Sequence, residues 1–379
     1  MASEKWFINE SEFDDYQYAI KELDPKRTYV IQGCAGSGKT ILALWRAKEL
    51  QESNKGSYLF LVFTIALRKF IDDGIRQIRI DTNKVLYQWD CENRKNKPSA
   101  DFFIIDEAQD FTLTEIDYIK GKANTSVMLF GDTAQQLYQD KKVTIDGNPR
   151  KERTATMPGI AASLNVQIRD LTFNYRLPKR IARFAEYINS QSDKLEPRCK
   201  KEGAFYPVLK KCKNFEEELN WIIQKIKENN LKDIGILMPH NVSAENVYNY
   251  FNKMGLNPEA KFDVGEKRVM SLDFSTDNPK ILTYHSAKGL QFQSVFLPSC
   301  ETTDDFFQNP LYVAITRTYE RLYISYTNEL SPFLRTIPKS KDGRVIYEDD
   351  TSQVLEPSSS MKVTPRQIVT QSSEDDLPF

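Results

Sequence analysis

Apolar and polar positions alternate along this chain in two long stretches. From about Thr28 to Gln139, short apolar runs (YVIQG, SYLFLVF, FFIIDE, SVMLFGD) take turns with helical patterns such as ILALWRAKEL. Strand–helix alternation of this kind predicts a parallel α/β sheet. A second alternation starts near Asp170 and contains the strand-like runs LTF, IGILMP, KILTYH, SVFLP and RLYISY. Between them stand the helical patterns PKRIARFAEYI, EEELNWIIQKIKE, AENVYNYFNKM and YVAITRT. The chain therefore reads as two α/β sheets of similar size, in domains spanning residues 1–168 and 169–336. From about Pro338 the pattern dissolves, and residues 337–379 read as a flexible tail, rich in Ser, Thr, Pro and Gln from Thr351 onward.

Composition narrows the classes. A length of 379 residues, with 40% hydrophobic and 28% charged side chains, suits a globular protein with real cores. The longest apolar run, Tyr58 to Leu67, is about half of what a bilayer needs and reads as a buried strand. MASEKWFINE lacks the apolar segment of a secretory signal. The five cysteines are odd in number and form no CxxC pair, which argues against a disulfide framework or zinc site and for a reducing cytoplasm. A net charge of −1 means that any nucleic-acid site must be a local cleft rather than a basic surface.

The chemistry concentrates in GCAGSGKT, Gly33 to Thr40, which follows the strand YVIQ and opens the helix ILALWRAKEL. It satisfies GxxxxGK[ST] in the context that motif needs. Its backbone N–H groups, from Gly33, Cys34, Ala35, Gly36, Ser37 and Gly38, can wrap phosphates at a helix N-terminus. Lys39 would reach the β- and γ-phosphates of ATP, and Thr40 would ligate Mg²⁺. FFIIDEAQD, Phe102 to Asp110, delivers two adjacent carboxylates at a strand end. Asp106 would hold Mg²⁺ through its water shell, and Glu107 would polarise the attacking water.

With both motifs in view, the chain resembles the UvrD/PcrA-like branch of the superfamily 1 helicases, over about residues 8 to 327. FDDYQYAI places Gln17 where that family reads adenine. LVFT places Thr64 at a single-strand contact. GDTAQQLY gives Gln135 as the γ-phosphate sensor. LTFNYR gives Tyr175 to stacking on the base and Arg176 to the γ-phosphate. YHSAKGLQF gives His285 to the nucleic-acid backbone and Gln291 to the ribose, and LYVAITRT gives Arg317 as a second arginine finger. The resemblance implies two RecA-like parallel-sheet domains with ATP between them, in an enzyme translocating 3′ to 5′ on single strands, DNA before RNA. A protein-remodelling ATPase switch and a recruited adaptor with a vestigial ATPase stand as alternatives.

Three departures qualify the resemblance. Gln291 stands where the family has Glu, and an amide can still bond a ribose hydroxyl. Asp140 stands where the family has a base-stacking aromatic. Only about forty residues separate LVFT from FFIIDE and about a hundred separate NYR from YHSAKG, leaving no room for large inserted subdomains. Finally, SSEDDLPF resembles the acidic tip of bacterial single-stranded-DNA-binding proteins. It suggests a protein partner with an apolar pocket beside a basic rim.

Overall fold

The computed structural model describes residues 8–87, 98–137, 140–143, 150–188, 194–335, 337 and 345–348. Cys91 and residues 349–379, with the SSEDDLPF segment, lie outside the described residues. The first sheet contains β1 Tyr29–Gly33, β2 Tyr58–Val62, β3 Val85–Tyr87, β4 Ala100–Ile105 and β5 Ala123–Gly131. Beyond them, β6 Asp140–Val143 and β7 Arg150–Arg153 pair as an antiparallel ribbon, and β8 Ile168–Leu171 returns to the sheet. Its order is β3-β2-β4-β5-β1-β8, all parallel.

The run LTF, expected to open the second sheet, is a correction. Its Leu171 ends β8, which pairs with β1 of the first sheet. Only one residue of β8 is buried, so the strand lacks the continuous apolar run that marks a central position. The chain then forms β9 Asn174–Pro178 and β10 Cys199–Lys201, a parallel pair apart from both large sheets.

The second sheet holds β11 Val208–Lys211, β12 Ile234–Met238, β13 Glu259–Val264, β14 Lys267–Met270, β15 Lys280–Thr283, β16 Phe292–Leu297, β17 Thr318–Tyr326 and β18 Ile346–Tyr347. Its order is β14-β13-β15-β12-β16-β17-β11-β18, parallel apart from the β13–β14 hairpin. Strands β2, β12 and β15 are buried at every residue. Helices cover both faces of such a sheet, so its central strands need apolar side chains on both sides.

The helices follow equally local rules. In Phe215–Glu228, Asn214 accepts from the Glu217 N–H, three glutamates occupy the first turn and Lys225 and Lys227 the last. The cap satisfies an orphan donor, and the charges oppose the helix dipole. Leu219, Ile222 and Ile223 turn inward against the second sheet.

Successive residues of β1 feed different cores: Ile31 joins one apolar cluster and Val30 another. The cluster that takes Ile31 also takes Leu67, Leu282, Leu290 and Val313, so one continuous core ties the sheets together. Among the described residues, no helix is long and apolar enough to cross a membrane.

Candidate active site between the two sheets

The phosphate loop leaves the C-terminal end of β1 and enters helix Lys39–Ser53. Its glycines are structurally required. Gly36 and Gly38 have φ of +74° and +92°, and a Cβ on Gly38 would lie 2.6 Å from Gln17 Nε2. Lys39 Nζ donates to the Gly33 and Cys34 carbonyls at 2.7 and 3.0 Å. The Thr40 hydroxyl donates to Asp106 Oδ2 at 2.7 Å. The Ser37 hydroxyl is buried with no partner among the described residues, as a group awaiting a phosphate oxygen would be.

Asp106 and Glu107 leave the end of β4. Burial and the neighbouring Glu107 push the Asp106 carboxyl up, against the Thr40 hydroxyl. Burial also opposes ionisation of Glu107, but Lys288, Lys39, Arg317 and the Gln109 amide outweigh it and hold this carboxyl below the usual range. The two adjacent carboxyls are thus driven apart, Asp106 towards its neutral form and Glu107 towards its anion. Glu107 takes left-handed backbone, φ +56°, and receives a hydrogen bond of 2.6 Å from Gln109 Nε2. For a non-glycine residue that conformation costs about 1–2 kcal/mol, which the surrounding contacts must offset.

The far side of the cleft comes from β9 and from the end of helix Gln308–Ile315. Arg317, 1% exposed, donates to the Val313 carbonyl at 2.9 Å and to the Gln135 side chain. Gln135 in turn donates to Asp132 Oδ2 at 2.6 Å. Arg176 donates to the Thr316 carbonyl at 2.9 Å, and its Nε has no partner among the described residues. Burial, with Arg317 beside it, pushes the Arg176 guanidinium down to about 9. Two cations, each pushed down by burial, face the cleft with Glu107 as a nearby anion, which suits a site that takes up further negative charge.

These groups enclose a cleft of about 340 Å³. Its lining includes Gln17, Ala35, Gly36, Ser37, Gly38, Lys39, Thr40, Glu107, Gln135, Tyr175, Arg176, Gln291 and Arg317. Gly33, Cys34 and Asp106, expected at the nucleotide, lie beneath that lining and support it. Gln17 donates to the Ser37 carbonyl at 3.3 Å, and the Tyr175 hydroxyl bonds the Asp14 carboxylate.

Lys201 and Tyr319 also line the cleft, although no sequence motif marked them. Lys288 is the larger omission. It is 1% exposed, and its Nζ lies 2.5 Å from Asp110 Oδ2 and 3.6 Å from Glu107 Oε2. The signal was present, because Lys288 lies within YHSAKGLQF and Asp110 within DEAQD, but nothing local says that they meet.

The two nucleic-acid candidates stand away from this lining. The Thr64 hydroxyl accepts from the Leu67 N–H at 3.0 Å and so caps helix Ile65–Ile78. His285 follows β15 in a series of turns and stacks on Phe306, with ring centres 5.7 Å apart. Asp140 opens the β6–β7 ribbon and pairs with Lys151 at 3.0 Å, so no ring stands there.

Comparison with known proteins places these motifs. Residues 17–141 match the model of an AAA domain, and residues 280–325 match the UvrD-like helicase C-terminal domain. The first match holds the phosphate loop and both carboxylates, and the second holds Lys288, Gln291 and Arg317. The chain is 25% identical over 305 residues to the Acanthamoeba polyphaga mimivirus protein "Putative ATP-dependent DNA helicase R568". Together these matches make the chain similar to helicases in two separate segments.

That alignment covers 72% of this chain and 39% of the mimivirus protein, so the chain spans about two fifths of the helicase it matches. Among solved structures, arterivirus nonstructural protein 10 (helicase) aligns at a TM-score of 0.44 and 14% identity, over 82% of this chain and 61% of that one. The C-terminal domain of a possible DNA helicase from Lactobacillus plantarum aligns at 0.35 and 17%, over 46% of this chain and 98% of that one. At those scores neither likeness carries an argument. The likeness to helicases rests on the family models and the mimivirus relative.

Proposed function

We propose that the chain hydrolyses ATP in this cleft and uses the cycle to move along single-stranded nucleic acid, DNA before RNA, in the 3′ to 5′ direction. The observation that supports it is convergence. Lys39 and Glu107 from the first sheet, Arg317 from the second and Arg176 from β9 face one space, and Gln135 links directly to Arg317. ATP would replace the Gly33 and Cys34 carbonyls as the partner of Lys39, and its γ-phosphate would draw in both arginines. Glu107, favoured as an anion by the cations around it, would orient and deprotonate the attacking water.

The Thr40 hydroxyl and the Asp106 carboxylate form an oxygen pair of the kind that suits Mg²⁺ bound together with phosphates. When bound, the ion would neutralise charge on the phosphate oxygens and favour the ionised form of Asp106.

A division into two domains, and a protein partner for the DDLPF segment, belong to the same proposal. The boundary expected at 168/169 falls inside β8 and moves beyond Leu171, and the tail expected from residue 337 starts after β18. Loss of a pulled-down partner on deleting Pro378 and Phe379, with ATPase unchanged, would support that partner.

The first experiment is ATPase with and without single-stranded DNA or RNA. Strand-stimulated turnover, abolished in Glu107→Gln with ATP binding retained, is the expected result. Turnover indifferent to strands would favour the remodelling switch, and no turnover the adaptor. Displacement of streptavidin from one strand end only reads the direction.

A further inference from the structure

Phe306 is half exposed, at 50%, an unusual position for a phenylalanine. It belongs to the short turn Asp305–Phe307, capped by Asp304, whose carboxylate accepts from the Phe306 N–H at 2.9 Å. One side of its ring is covered. His285 stacks against it at 5.7 Å with an interplanar angle of 20°. Phe307 stands edge-on to Phe306 at 5.5 Å, and His240 meets Phe307 edge-on at 4.9 Å. The only two histidines in the chain thus fall in one ring cluster around two adjacent phenylalanines. The cluster fixes the plane of Phe306 and leaves part of that ring to solvent.

The place matters as much as the ring. His285 lies on the same run of turns that carries Lys288 to Glu107 and Asp110. Three residues after Phe306, Asn309 donates to the Gln136 carbonyl at 3.3 Å, next to Gln135. A ligand seated on Phe306 is therefore connected by short, packed segments to both the catalytic anion and the γ-phosphate contact. The flanking charges Asp304 and Asp305 would repel a phosphate, so the surface offers contact to an uncharged face. A flat, rigidly backed aromatic suits the π-face of an unpaired base whose own phosphate points away from Asp304 and Asp305.

We propose that Phe306, backed by His285, is a stacking platform for one base of the bound single strand. This rests on the strand-dependent reading above and adds to it a specific contact from the second sheet. Stacking is indifferent to sugar, so DNA and RNA strands share the contact.

The test measures binding of oligothymidine, oligouridine and an abasic strand of equal length and charge, by fluorescence anisotropy with the full chain. Phe306→Ala is expected to weaken the base-bearing strands by roughly ten- to a hundredfold. It should leave abasic binding as in the wild type, and Phe306→Trp should restore affinity. An unchanged affinity of Phe306→Ala for oligothymidine, in a wild type that binds it, overturns the platform alone. Equal loss on abasic strands also overturns it, because the residue would then act on backbone or fold. A wild type that binds no strand overturns the strand-dependent reading, and this inference with it.

Discussion

Replacing Lys288 with methionine keeps the length of the side chain and removes its charge. In the folded chain that charge is almost fully enclosed, 2.5 Å from Asp110 and bonded to the Gln135 carbonyl at 2.7 Å. Removing one partner of a buried pair costs about 3–5 kcal/mol, because the other charge stays uncompensated. Asp110 can limit the loss by taking a proton. Burial already raises its carboxyl to about 6, with Lys288 opposing the rise. Without that opposition it rises further.

A raised carboxyl pKa means that the folded state holds a proton the unfolded state releases, so stability falls as pH rises between the two values. Below about pH 6 Asp110 is protonated in both folded forms, and the difference between variant and wild type is smallest. Above it the variant must keep a proton that the wild type gives up. The difference then grows by about 1.4 kcal/mol per pH unit until the variant titrates as well. Urea denaturation of the nucleotide-free protein at about pH 5.5 and about pH 8 reads this directly. Lys288→Met should lose about 3 kcal/mol near neutrality and more at the higher pH, and Lys288→Met with Asp110→Asn should recover most of it. A loss under about 1 kcal/mol, flat with pH and additive in the double variant, would refute the reasoning.

Other outcomes follow from the same geometry. Arg176→Ala and Arg317→Ala should each lower kcat about a thousandfold in protein that a melting curve shows to be folded, and Arg317→Ala, which empties a fully buried site, should also lower the unfolding midpoint. Gly38→Ala must hold φ +92° and place a methyl 2.6 Å from Gln17, so it should abolish binding of a fluorescent ATP analogue. Lys39→Ala should remove turnover. With no large inserted subdomains and no ring at Asp140, the chain should displace streptavidin but separate long duplexes poorly, since each step costs about 1.4 kcal/mol. Processive unwinding by the chain alone would contradict this.

Much of the first half of the site was legible because its parts are contiguous. Eight consecutive residues, from Gly33 to Thr40, build the phosphate loop, and their glycine spacing is dictated by backbone geometry that any short segment reveals. Central strands were legible for a similar reason: double-sided burial writes itself as an unbroken apolar run. Edge strands such as β14, with sequence KRVM, and β18 carry no such mark, and the partner strand of LTF was misread because β8 is buried at one residue only.

What only the tertiary structure decided are the contacts between distant residues. Arg317 meets Gln135 across 182 positions, and Lys288 meets Asp110 across 178. His240, which belongs to none of the motifs, ends in one ring cluster with His285, Phe306 and Phe307. Periodicity and spacing report what a residue's own neighbours require. Which buried cation faces which carboxylate depends on how two sheets dock through a shared core, and no local pattern encodes that.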